Sequence, residues 1–110
     1  MSNKSLGYEA EDKAARYLES RGFQILEQNW HTRWCEVDII AKKDSRIYFV
    51  EVKSRSSQSQ GSGLDYITPK KLRQMSFAAD MWVHSTKWIG EYQLAALAVD
   101  ANKTTFIEDV

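Results

Sequence analysis

One cysteine, no net charge and no long apolar run characterise this 110-residue chain. With Cys35 alone, no internal disulfide can form, which fits a reducing compartment and excludes a disulfide-stapled scaffold. No apolar stretch approaches the ~20 residues that a membrane-spanning helix needs. The opening Met1-Ser-Asn-Lys-Ser runs straight into a charged helical pattern, without the basic-then-apolar order of a secretory leader. These absences predict a cytoplasmic protein with no membrane contact. Internal repeats are missing as well. What is present is an ordinary globular composition, 43% hydrophobic and 27% charged, at a length suited to one domain over residues 1–110.

The balance of 15 basic and 15 acidic groups hides an uneven distribution. Residues 53–75 carry 5 basic and 1 acidic side chains, whereas residues 76–110 carry 2 and 5. A local positive excess suits contact with a polyanion, while the domain-wide surplus of a strong non-specific binder is absent.

Leu6, Ala10, Ala14, Tyr17 and Leu18 recur at helical spacing, predicting a helix from Leu6 to Arg21 with Ser5 as N-cap and Gly22 as its left-handed stop. Strands are expected from Phe23 to Asn29, from Cys35 to Lys42 and from Arg46 to Lys53. The short Lys43-Asp44-Ser45 turn makes the last two an antiparallel hairpin. Ser54–Gly63 reads as a loop. Thr68-Pro69 then opens a second helix to about His84, with Leu72, Met75, Ala79 and Trp82 as its buried stripe. Tyr92–Val99 and Thr104–Ile107 are closing strands. The expected class is α/β, in the order αβββαβ with room for one more strand, around a mixed central sheet flanked by helices.

The hairpin carries the chemistry. Alternation places Ile47, Phe49, Glu51 and Lys53 on one face of their strand, and the antiparallel register brings Asp38 beside Glu51. Glu36 and Lys53 lie a step further out. Two carboxylates held together repel and lose hydration, which calls for a compensating cation. Oxygen-only ligands favour Mg²⁺ or Mn²⁺, and such an ion would acidify a bound water and screen a phosphate. Lys53 is placed to position that water or steady the charge developing on phosphorus. The plainer alternative is a surface Glu51–Lys53 pair with Asp38 solvated.

Leu6-Gly7, Glu11, Gly22-Phe23-x-Ile25-Leu26, Asn29, Glu36-Val37-Asp38-Ile39-Ile40-Ala41, Phe49-Val50-Glu51-Val52-Lys53-x-Arg55, Ile67-Thr68-Pro69 and Lys71 together resemble the YraN-type family of small bacterial proteins. That family shares the core of the restriction-endonuclease-like, Holliday-junction-resolvase-like PD-(D/E)xK superfamily. The resemblance implies an αβββαβ restriction-endonuclease-like core and a metal site at Asp38, Glu51 and the Val52 carbonyl. It also implies Lys53 as catalytic lysine and Glu11 as a further acid from the first helix. The chain departs from the family pattern at Ala10 and Cys35, where glycine is usual, and at Gln93 and Ala95, where Arg-x-Asp is usual.

Arg55, Lys70, Lys71 and Arg73 flank the loop and are candidate phosphate contacts, with Trp30 and Trp34 as stacking partners for unpaired bases. The expected function is metal-dependent hydrolysis of phosphodiester bonds in DNA, in preference to RNA, on branched or single-stranded substrates. Two alternatives stand beside it: a nucleic-acid-binding module with an unused site, and a protein-interaction domain whose carboxylates hold a structural ion. His31 and Cys35 are too few for zinc. Four tryptophans exceed what so small a core is expected to bury, which suggests a homodimer surface.

Overall fold

The computed structural model describes residues 3–54, 67–101 and 103–110, with side chains from residue 9 onward. The elements are α1 (Asn3–Ser20), β1 (Gln24–His31), β2 (Glu36–Lys43), β3 (Arg46–Ser54), α2 (Pro69–Thr86), β4 (Glu91–Val99) and β5 (Thr104–Ile107). The strands form one sheet in sequence order. β1, β2 and β3 run antiparallel, β3 and β4 are parallel, and β5 returns antiparallel to β4. Parallel neighbours need a connection that crosses a sheet face, and α2 supplies it. The result is a mixed α/β fold, a five-stranded mixed sheet flanked by two helices.

Each sheet face has its own core. Ala14 and Leu18 of α1 pack with Phe23, Ile39, Ala41, Val50 and Leu97. Ala78, Ala79 and Trp82 of α2 pack with Ile40, Ile47 and Phe49 on the opposite face. β3 is the shared wall: Tyr48, Val50 and Val52 point to α1 while Ile47 and Phe49 point to α2, as period-two alternation requires. In β4 the small residues Ala95, Ala96 and Ala98 are buried.

Helix boundaries follow their local chemistry. Thr68 is extended at φ −96°, and its Oγ1 accepts the Lys71 N–H at 3.1 Å, with Pro69 opening α2. Gly22 closes α1 at φ 92°. Ser5 lies within α1 instead of capping it, because the helix includes Asn3. α2 reaches Thr86, two residues beyond the expected end, and its buried stripe contains Ala78 with Leu72 only half-buried. Three of the four tryptophans pack within the chain: Trp82 is buried, and Trp30 and Trp88 lie half-buried against the α2-side core. Only Trp34 stands out, at 67% exposure, so the tryptophan count does not itself require a partner surface.

Lys87 ends α2 in the left-handed region at φ 58°, and the following Trp88 N–H closes onto Val83 O at 3.1 Å. A Cβ is unfavourable there. Lys87→Gly should raise stability by about 0.5–1 kcal/mol in urea denaturation; a destabilised variant would show that the lysine side chain outweighs the backbone strain.

Candidate functional site

The β2–β3 ladder runs from Lys43–Arg46 to Ile39–Val50 and stops one step before Asp38 and Glu51 would meet. Instead of a ladder bond, the Asp38 carboxylate turns into the gap, where its Oδ2 accepts the Val52 N–H at 2.7 Å. On the other side of β2 the register with β1 shifts between Ile25 and Glu27, opposite Ala41 and Ile40. Gln28 pairs with Ile39 and Trp30 with Val37, while Asn29 sits at φ 57°. The alternation expected of β2 does not hold at its start. Val37 joins Ile40 in the α2-side core, although Ile39 and Ala41 remain on the α1 side.

The gap collects acid. Burial is the main force holding the Asp38 carboxyl up, to about 7; Glu51, Glu11 and Glu36 add to the rise, and the Val52 N–H opposes it. Glu11 on α1 is also raised, first by burial and then by Glu36, Asp12 and Glu51. Carboxylates from α1, β2 and β3 therefore share one locality. Lys71 supplies a counter-charge, its Nζ lying 3.1 Å from Glu51 Oε2.

Between this acid group and α2 opens a cleft of about 600 Å³. Glu36, Asp38 and Glu51 form one wall; Lys70, Lys71, Arg73, Gln74, Met75 and Phe77 of α2 form the other; Trp34 and Cys35 lie at the β2 end. The cationic side chains occupy the first two turns of α2, where the helix dipole adds partial positive charge to that wall. One side of the cleft suits a cation and the other an anion.

The expected residues divide accordingly. Asp38, Glu51, Glu36, Lys70, Lys71, Arg73 and Trp34 all line the cleft. Glu11 reaches the acid group electrostatically from α1. Lys71, expected on phosphate, instead rests on Glu51, a pairing across elements that no spacing in the sequence reveals. Lys53 is exposed and is not among the described residues of the cleft wall. Arg55 lies outside the described residues. Val52 sends its side chain toward the α1-side core and its N–H to Asp38. Phe77 was not anticipated. Its signal was available, because Lys70, Arg73, Gln74 and Phe77 follow i, i+3, i+4, i+7 spacing along one helix face.

Among the described residues, no three His, Cys, Asp or Glu side chains converge tightly enough to cage an ion. Two carboxylates do fit Mg²⁺ or Mn²⁺ held largely by water, the usual arrangement for an ion that also meets a phosphate. The four departures from the family pattern lie differently. Cys35 is on the cleft, with its Sγ 3.7 Å from Met81 Sδ. Ala10 is buried against the sheet. Gln93 bonds Arg46 and the Glu108 carbonyl, and Ala95 is buried in the α1-side core.

Residues 10–107 match the family described as Uncharacterised protein family UPF0102. The chain belongs to the UPF0102 family. It is 44% identical over 84 residues to a UPF0102 protein of Syntrophomonas wolfei, covering 76% of this chain and 73% of that one. A Campylobacter fetus UPF0102 protein is 36% identical over 104 residues, 94% of this chain and 91% of the relative. A Tropheryma whipplei UPF0102 protein aligns over all 110 residues at 38% identity, covering 89% of its own length. The match to this UPF0102 family takes in α1 from Ala10, both sides of the cleft and the whole sheet.

The buried acid makes the metal-free UPF0102 protein sensitive to pH. Asp38 keeps its proton to about 7 in the fold but releases it near 4 in an unfolded chain. Between those values the folded state binds more protons, so stability falls as pH rises and levels off above about 7. The loss is on the order of a few kcal/mol. Asp38→Asn still accepts the Val52 N–H but cannot ionise. Urea denaturation in EDTA should show that it lacks this decline and is at least as stable as wild type at pH about 8. An undiminished decline in the variant would assign the titration to another group.

Proposed function

We propose that this UPF0102 protein is a divalent-metal-dependent hydrolase of nucleic-acid phosphodiester bonds, built on a restriction-endonuclease-like core. One observation carries the reading: an acid group anchored by Asp38 and Glu51 faces a cationic helix start across a single cleft. A phosphodiester bound to a metal presents the complementary pattern, a cation beside anionic oxygens. The resemblance to resolvase-like proteins favours DNA over RNA. The element order, with α1 followed by three antiparallel strands and a helical crossover to a parallel strand, is compatible with that core.

Asp38, Glu51 and the Val52 carbonyl would hold Mg²⁺ or Mn²⁺, which when bound supplies an acidified water and screens the phosphate. The protein's own groups do the rest. Glu11 and Glu36 keep the local field negative and so draw the ion in. Lys70 and Arg73 hold phosphate oxygens against the α2 start. Lys71, paired with Glu51 in the structure, would join them were an ion to take its place there. Lys53 follows Glu51 by two residues on the same strand face, where its ammonium orients the attacking water or steadies charge on phosphorus.

Calorimetry with Mn²⁺ and cleavage of a labelled panel of DNA and RNA shapes test this directly. Wild type should bind Mn²⁺ and cut; Asp38→Asn with Glu51→Gln should do neither. Lys53→Ala should bind the ion yet lose roughly a hundredfold or more in rate. Unchanged Mn²⁺ affinity in the double variant would overturn the site, and binding of nucleic acid without turnover would leave a binding module.

Phosphate contacts carry a second signature. Affinity for nucleic acid should fall steeply with salt, and Lys70→Ala with Arg73→Ala should flatten the slope by about one unit per lost contact. A slope unchanged in that variant would place the phosphates elsewhere.

A further inference from the structure

The cleft wall contains two exposed aromatic rings that the hydrolytic reading does not use. Trp34 is 67% exposed and Phe77 is 50% exposed, and both line the same cleft as Lys70, Lys71 and Arg73. Large rings at that exposure lose the hydration advantage that burial provides elsewhere in this protein, where Trp30, Trp82 and Trp88 pack against the core.

Trp34 is also held in place. Residues 32–35 connect β1 to β2, and the Thr32 N–H donates to Cys35 O at 2.8 Å. The Thr32 hydroxyl oxygen accepts the N–H groups of Trp34 and Cys35 at 3.0 and 3.2 Å. This side-chain-to-backbone turn fixes the base of the indole, so little backbone freedom is lost when the ring takes a partner. The Arg33 guanidinium lies 5.2 Å over the ring, adding a cation next to the stacking surface. On the other wall, Phe77 ends the Lys70–Arg73–Gln74 stripe, roughly 10 Å along the helix from Lys70. Aromatic faces interleaved with cations form the surface that binds unpaired nucleotides, because rings stack on bases and cations track phosphates. A paired base inside a duplex has both faces covered and offers nothing to such a ring.

Resting on the hydrolytic reading above, we propose that Trp34 and Phe77 form a base-stacking clamp that selects an unpaired segment of nucleic acid for this cleft. The clamp determines which substrate structure enters and takes no part in bond cleavage. Trp34 is a specificity residue, and the cationic stripe gives the clamp its charge complementarity to a polynucleotide.

The test uses the intact protein, with Ca²⁺ supplying divalent charge, a single-stranded oligo(dT) and a blunt duplex of equal length. Oligo(dT) should quench tryptophan emission and bind more tightly than the duplex. Trp34→Ala should abolish the quench and weaken oligo(dT) roughly tenfold or more, while affinity for the duplex stays the same. Trp34→Phe should recover most of the affinity, and Phe77→Ala should weaken oligo(dT) without removing the quench. Circular dichroism of each variant controls for folding. Equal affinity of wild type and Trp34→Ala for oligo(dT) would overturn the clamp while leaving the hydrolytic reading intact. Failure of wild type to bind either oligonucleotide would remove both. Sedimentation showing a dimer that Trp34→Ala dissociates would also overturn the clamp, assigning the ring to a copy of this chain.

Discussion

The structure turns on a carboxylate where a sheet hydrogen bond should be. Asp38 accepts the Val52 N–H at the point where the β2–β3 ladder ends, and so satisfies a strand donor. The next pair of the ladder would set Asp38 directly against Glu51, two like charges in opposition, and the pairing stops before it. At this level Val37 lies on the α2 side, and a cleft opens between the strand ends and the helix. The cost is a largely buried acid whose proton is held to about 7.

Such a cost is sensible only if something else repays it. Proteins concentrate strained charge where binding or chemistry occurs, and three features of this cleft share that character. The acid group brings together Glu11, Glu36, Asp38 and Glu51. Across from it, α2 begins with Lys70, Lys71 and Arg73 and no acidic residue in its first turn, the reverse of what the helix dipole favours. Lys71 bridges the two walls by pairing with Glu51. Each wall is unfavourable alone; together they suit a ligand that is anionic but arrives with a cation.

The two-core architecture keeps this arrangement in place. β3 is packed on both faces, so Glu51 is carried at the end of a rigid strand instead of a loop. α1 covers one sheet face and brings Glu11 to the acid group, while α2 covers the other and brings the cations. Gln93 and Ala95, both on β4, serve the sheet and the α1-side core. The UPF0102 match from residue 10 to 107 covers α2 and the part of α1 that carries Glu11.

Much of this was readable from the chain because it depends on near neighbours. The Thr68-Pro69 helix start, the Gly22 stop, the β3 alternation and the antiparallel β2–β3 hairpin follow from caps, period-two patterning and a short turn. What only the tertiary structure decided involves elements far apart in sequence. Val37 packs into the α2-side core although alternation with Ile39 and Ala41 would place it on the α1 side, and Asp38 takes the N–H of Val52, fourteen residues on. Lys71 meets Glu51 because α2 crosses back over the sheet. Trp30 and Trp88 find cover while Trp34 and Phe77 do not, although composition gave the four tryptophans equal standing. Local propensity sets which residues can share a strand or helix face, but the partner of a long charged or aromatic side chain is chosen by which surface packs against it. That choice is made by the whole core at once.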